Sequence, residues 1–373
     1  MAREMDFVDE CYADKDLSQL RQVTIIIPTH NRNYYLSRCL WYHAHFPFGE
    51  IIVADSSDEE KREINQKTIN DIQESFSTKI KHLIYTFPLE EYGGEIYRKW
   101  GDAINHVDTQ YSLSCTDKEF LIPTSVCGAV TFLDDHPDYS IADGIYIKVE
   151  KFNLVYPWQS DPSFSSDEIT LRLQKLLLFK SGVGTQFALR RSSQHKLMFE
   201  NISKYDLYDI RFGEIAIELF PILTGRTYRE KSSYMSVRDV IEGRRKSFIV
   251  AAESSFLRYP FISEYPVERY SLLMNRLSDF IRDISFQSIS KEMVYDIIRL
   301  YLRYRAVNRR AISYVFSLLP YNIRLVLSRL LGGGEMTQKL TRHDKTPEIR
   351  LIIKIINISS KYHDGDIAVH HCF

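Results

Sequence analysis

The stretch Val23-Thr-Ile-Ile-Ile-Pro-Thr-His-Asn-Arg32 and the second run of the same texture, Glu50-Ile-Ile-Val-Ala-Asp-Ser-Ser-Asp58, decide the fold. Each is a short block of β-branched residues that stops at polar, turn-forming ones, as a parallel strand buried on both faces does when it delivers a loop. Between them Tyr35, Leu36, Cys39 and Leu40 recur at helical spacing and give one apolar stripe. Strand, helix and strand in this order make a crossover in which both strands open toward the same edge. Ligands of open α/β sheets bind at that edge.

Pro28-Thr29-His30-Asn31 and Asp55 give the stretch a resemblance to the start of an inverting family 2 glycosyltransferase of the GT-A fold. That family opens with a hydrophobic strand and Pro-x-x-Asn, matched here by Pro28, Thr29 and Asn31. It ends its second strand in an Asp that holds the nucleotide base, matched by Asp55. A Pro closing a buried strand and an Asp capping the next helix also occur in other doubly wound proteins.

A chain of 373 residues with 44% hydrophobic and 13% aromatic content has ample material for a core. Its formal charge of −1 argues against wholesale nucleic-acid binding. Five cysteines without a CxxC spacing suggest neither a disulfide framework nor a zinc site, and a reducing cytoplasm fits them. The acidic start lacks the features of a signal peptide. The longest uncharged run, Phe120 to Leu133, is fourteen residues, short of the ~20 that a spanning helix needs.

Further along, Glu59 to Phe76 reads as a surface helix and Lys81 to Thr86 as a third strand. The loop Pro88 to Gly94 carries two glycines and leads into a helix from Glu95 to His106, whose Arg98 and Lys99 either face a diphosphate or are solvated. Where the resembled family has a strand ending in an Asp-x-Asp metal motif, this chain has Asp117-Lys118-Glu119. On extended chain Asp117 and Glu119 point the same way, and hard oxygen ligands suit Mg²⁺ or Mn²⁺ against the leaving nucleoside diphosphate. Glu is one methylene longer than Asp, and the Lys118 ammonium can itself supply part of that charge. The alternative is a plain acidic turn.

Pro123 to His136 reads as a helix, Tyr139 to Lys148 as a strand, Tyr156 to Pro162 as a loop and Ser166 to Phe179 as a helix. The glycines after Ser181 lack the context of a dinucleotide fingerprint. The resemblance sets Gly182 to Arg190 beside the acceptor, with a tight turn into a strand as the alternative. It also sets a catalytic base at the start of the helix within Asp206 to Phe220. Glu214 takes that place if the helix begins near Gly213, and Asp209 is its rival. Arg238, near the end of the strand-like Arg226 to Val240, matches a family position near the phosphates.

From Ile249 onward helical patterns dominate. Ile297 to Leu331 holds seven arginines and no acid, interleaved with aromatics, which fits either peripheral contact with an anionic membrane or helices packing on the first domain. The expected architecture is an α/β, GT-A-like domain over residues 1–248 and a helical C-terminal domain over 249–373. The resemblance implies transfer of a sugar, with inversion, from a nucleotide-sugar donor to a glycan or lipid-linked acceptor in surface polysaccharide or glycan assembly. It further implies Mg²⁺ or Mn²⁺. The cysteine usage makes a cytoplasmic protein the expectation, peripheral at the inner face of the membrane if 297–331 docks there, with a homodimer as another use of that stripe. A catalytically silent binding protein and a sugar nucleotidyltransferase are the competing classes, the latter disfavoured by the lack of glycine in Thr29 to Asn33.

Overall fold

Strand β1 (Val23–Thr29) is buried along its whole length, because both of its faces are covered. Ile25 and Ile27 enter one hydrophobic cluster and Ile26 enters another on the opposite side of the sheet. Strand β2 (Glu50–Asp55) divides in the same way, with Ile51 and Val53 on one face and Ile52 and Ala54 on the other. The period of two sorts the β-branched run into two cores. The computed structural model describes residue 8 and residues 10–86, 93–150, 154–158, 163–178, 185–239, 267–285, 290, 294–295 and 346–360.

Helix α1 (Asn33–Ala44) joins β1 to β2 and buries Leu36, Cys39 and Leu40 as its stripe requires. After α2 (Glu59–Ser75) comes β3 (Ile80–Ile84), and after α3 (Glu95–Ala103) comes β4 (Tyr111–Ser114). Strands β3, β2, β1 and β4 lie side by side and parallel. Beyond β4 the sheet becomes mixed. It is built from β5 (Glu119–Leu121), β6 (Tyr139–Glu150), β7 (Leu154–Trp158), β8 (Leu189–Arg191) and β9 (Arg226–Asp239). The order is β3-β2-β1-β4-β8-β6-β9-β5, with β7 added on β6. Antiparallel β8 sits between β4 and β6, and β9 runs parallel to β6 but antiparallel to β5. A parallel half continued by a mixed half is the α/β, GT-A-like architecture expected from the opening strands.

Helices α1, α2 and α4 (Pro123–Asp135) cover one face of this sheet. On the other lie α3, α6 (Ser192–Lys204) and α7 (Ile210–Thr224), while α5 (Ile169–Leu178) packs on α7. The described part of the C-terminal region joins both layers. Leu273, Leu277 and Ile281 of α8 (Val267–Ile284) pack into the α7 core, and Ile349, Ile352 and Ile356 of α9 (Pro347–Ser360) into the α4 core. The boundary expected at 248/249 and the arginine stripe of 297–331 lie outside the described residues. No described helix is long and apolar enough to cross a membrane.

The end of β9 is fastened to α1 by a buried ion pair. Arg38 is fully buried, among the rings of Tyr34, Tyr35 and Phe120, and reaches Asp239 at 2.7 Å. Deleting one member of such a pair leaves a buried charge behind, which typically costs about 3–5 kcal/mol. Arg38→Met should lower stability by about that much in denaturant unfolding, and Arg38→Met/Asp239→Leu should recover most of it. A loss near 1 kcal/mol in the single variant, the level of an exposed pair, would show that this contact is solvated.

Candidate functional site at the carboxyl edge of the parallel strands

The loops that leave β1 and β2 are knitted together. Asn31 has φ of 54°, in the left-handed region that Asn tolerates. Its backbone N–H donates to Ser57 Oγ at 2.8 Å. Its side chain donates to Asp58 Oδ2 and accepts from the Asp58 N–H, both at 2.8 Å. The Thr29 carbonyl accepts from Ser56 N at 3.1 Å and from Lys99 Nζ at 3.1 Å, and the same ammonium donates to Ser56 Oγ at 2.8 Å. Pro28 closes the strand where its missing N–H does no harm. Ile26 O accepts from Cys115 N, so alternate residues of β1 face β4, and Pro28 falls on that side just after β4 has ended.

Parallel pairing with β4 brings a third loop to this edge. The chain does not run on extended through Asp117 and Glu119 as expected. It turns at residues 117–118, with Glu119 N donating to Thr116 O at 3.0 Å, and Glu119 starts β5. The turn ends the extended i, i+2 alignment, and the two carboxylates take different partners. Asp117 accepts from Thr29 Oγ1 at 3.1 Å and meets Arg32 at 3.4 Å. Glu119 accepts from Thr116 N at 3.0 Å and pairs with Arg238 Nε at 2.8 Å. Both are 1% exposed. Burial pushes the Asp117 carboxyl above the usual range, against the pull of Arg32 and Thr29. As placed, these residues do not fit a divalent cation, since all four carboxylate oxygens face protein partners and do not converge on one point. Among the described residues no cluster of three His, Cys, Asp or Glu side chains is placed to hold a metal.

Below the turn, the Cys39 and Cys115 thiols each lie 3.5 Å from the Glu119 carbonyl. Tyr42 Oη donates to Leu121 O at 2.8 Å, and Leu121 N donates to His43 Nε2 at 3.2 Å. With Nδ1 2.8 Å from Cys39 O, the Nδ1–H tautomer of His43 satisfies both contacts. Helix α1 thus positions both the turn and β5.

The other expected site residues separate. Lys99 is 4% exposed, its pKa lowered by burial, and it ties backbone and hydroxyl rather than facing solvent. Arg98, one helical step away, points elsewhere, with its guanidinium 3.8 Å from the Tyr208 ring centroid and 3.9 Å from Asp206. Helix α7 begins at Ile210, ahead of the expected Gly213, and Asp209 Oδ1 accepts from Phe212 N at 3.2 Å as an N-terminal cap. Asp209 is fully buried and lies 3.5 Å from Arg269. Glu214 stands in the second turn and is half-buried. A Cβ on Gly213 would come within 2.6 Å of the Tyr97 ring, so glycine there lets α7 close on α3. Arg32, Ser56, Ser57 and Asp58 were not singled out from the sequence, although each lies within three residues of a strand end that was.

No family model and no curated protein matches this chain. Among solved structures, S. aureus TarS 1-349 is similar over 76% of this chain and 89% of that chain, at 14% identity and a TM-score of 0.43. The same fragment in complex with UDP gives 15% identity and a TM-score of 0.43 over the same shares. A longer S. aureus TarS structure gives 15% and 0.38, with 54% of that chain covered. The fold assignment itself rests on the strand order and register described above.

Asp55, matched in sequence to a base-binding position, is fully buried and held by protein donors. It accepts from Ser57 N at 2.7 Å, Asn65 Nδ2 at 2.8 Å and His82 Nε2 at 3.0 Å. Burial alone would push its carboxyl up, but the hydrogen bonds from His82, Ser57 and Asn65 outweigh it and hold the pKa at about 2. A folded pKa below the unfolded one of ~3.9 stabilises above that value, and the contribution is lost as pH falls through about 2. The contribution is about 2.5 kcal/mol. Asp55→Asn should cost roughly that amount at neutral pH and flatten the acid limb of stability between about pH 4 and pH 2. Denaturant unfolding across this range checks it, and a loss that is independent of pH would overturn it.

Proposed function

We propose that this chain is a nucleotide-sugar-dependent glycosyltransferase that moves a sugar, with inversion, to a hydroxyl of a glycan or lipid-linked acceptor. The reading is carried by one convergence. The turn after β4 meets the end of β1 through Asp117, Thr29 and Arg32, and β1 is knitted to the β2 loop through Asn31, Ser57 and Asp58. Three strand ends thereby form one polar edge at the carboxyl side of a parallel sheet, where such folds bind nucleotides. In this reading the donor lies across that edge and the acceptor approaches from α7. A carboxylate removes the acceptor proton while the oxygen attacks the anomeric carbon, and the bond to the diphosphate breaks with its electron pair on the phosphate oxygen.

Glu214 is the proposed base. Asp209 is buried as the cap of α7 and tied to Arg269, whereas Glu214 lies on the turn of α7 next to Gly213, which packs against Tyr97 of α3. Helix α3 is the element whose Lys99 reaches Thr29. A second reading, a catalytically silent binding protein, is favoured by the burial of both Asp117 and Glu119 against internal partners. Release of sugar from donor by the purified protein separates the two.

Removing a positioned base costs ~10²–10⁴ in rate. Glu214→Gln should lower turnover by that factor with donor affinity near wild type. Asp209→Asn preserves a capping side chain and should retain most activity. Rates measured at saturating donor decide between them. An inactive Asp209→Asn beside an active Glu214→Gln would move the base to Asp209.

A further inference from the structure

The three buried carboxylates around the turn are each matched by an arginine. Asp117 has Arg32, Glu119 has Arg238 and Asp239 has Arg38. Lys118 is left over. Among the described residues it forms no ion pair, and its Nζ lies 3.9 Å from the Tyr35 ring centroid, a cation–π contact that holds the ammonium over the first turn of α1. Arg32 lies beside it at the same edge. Its side chain is 53% exposed, and its one described contact with Asp117 is long, at 3.4 Å. The edge is therefore a half-buried ammonium and an exposed guanidinium set over carboxylates that are already paired. A divalent cation brought here would meet like charge without converging oxygen ligands. A diphosphate would meet the reverse, a planar donor fork from Arg32 and a point charge from Lys118.

Resting on the donor reading above, we infer that Arg32 and Lys118 hold the donor diphosphate and stabilise it as it leaves, in the place that a divalent cation takes in metal-dependent transferases. When the bond from the anomeric carbon to the phosphate oxygen breaks, the electron pair goes to that oxygen. Hydrogen bonds from the guanidinium and the ammonium then meet the added charge. No further reactant is needed.

The test is calorimetric titration of the full chain with UDP, GDP and dTDP, with CMP as the single-phosphate control, once in EDTA and once in Mn²⁺. The expected result is that the diphosphate that binds does so within about twofold under both conditions. Lys118→Met should weaken it ~10–100-fold, as expected for the loss of a charge-assisted contact. Lys118→Arg should recover most of the affinity. Lys118→Met breaks no ion pair and loses only the contact with Tyr35, so the melting temperature should fall by no more than a few degrees. Arg32→Met should weaken binding by a similar factor. Diphosphate binding that vanishes in EDTA and returns with Mn²⁺ would overturn the inference, as would wild-type affinity in both Met variants; either result leaves the donor reading standing. Binding of CMP alone would overturn the diphosphate assignment. Absence of binding by every nucleotide under both conditions would overturn the donor reading and this inference with it.

Discussion

Parallel pairing of β1 with β2 on one side and β4 on the other is the constraint from which the rest of the molecule follows. Both pairings are in register along buried strands, Ile25 against Ile51 and against Leu113. Parallel neighbours must end at the same edge, so three separate loops are delivered to one place without any loop having to reach. A one-residue slip would carry Ile26 into the core of Ile25 and Ile27 and expose the mismatch on both faces at once. The position of the polar edge is therefore held by hydrophobic packing far from it.

That edge contains several buried charges, and those below its surface have named partners. Lys99, Arg38 and Asp55 are all within the protein, at 4%, 0% and 0% exposure, and all are held by hydrogen bonds. Asp143 and Arg229 make a similar pair deeper in the sheet, with Tyr146 donating to the same carboxylate. Paired buried charges are poor sources of stability compared with apolar packing, but they punish any arrangement that leaves one partner alone. Around the Thr116–Glu119 turn this penalty selects a single geometry, since the turn must satisfy Thr29, Arg32 and Arg238 together.

The described C-terminal helices bear on the same edge indirectly. Arg269 of α8 approaches the cap of α7, and Arg276 pairs with Asp206 at 2.8 Å in the segment that leads into that cap. The start of α7 is thus held from two sides, by α3 through Tyr97 Oη to Ile210 O at 2.9 Å and by α8 through two arginines. A candidate base on α7 inherits its position from both.

The β-branched runs at 23–27 and 50–54 needed no partner to be read as doubly buried strands, because a strand with apolar residues at consecutive positions has no solvent face to offer. The stripe of α1, the strand ends at Thr29 and Asp55 and the breadth of the α/β class were legible for the same reason: local period and burial are one property. The fates of the charged side chains were not. Asp117-Lys118-Glu119 was open to two readings, an extended carboxylate pair and an acidic turn, and local pattern did not decide between them; the structure has the turn, with Glu119 paired to Arg238 across β5 and β9. Arg98 and Lys99 are adjacent in sequence, yet packing sends one inward to Thr29 and the other out over Tyr208. Asp209 became the cap because α7 starts at Ile210, which is settled by Tyr97 and Gly213 closing against each other. Sequence determined which residues had to be buried together; tertiary structure alone decided which charge Asp117, Glu119 and Asp239 would face, because that depends on contacts between segments 85 and more residues apart.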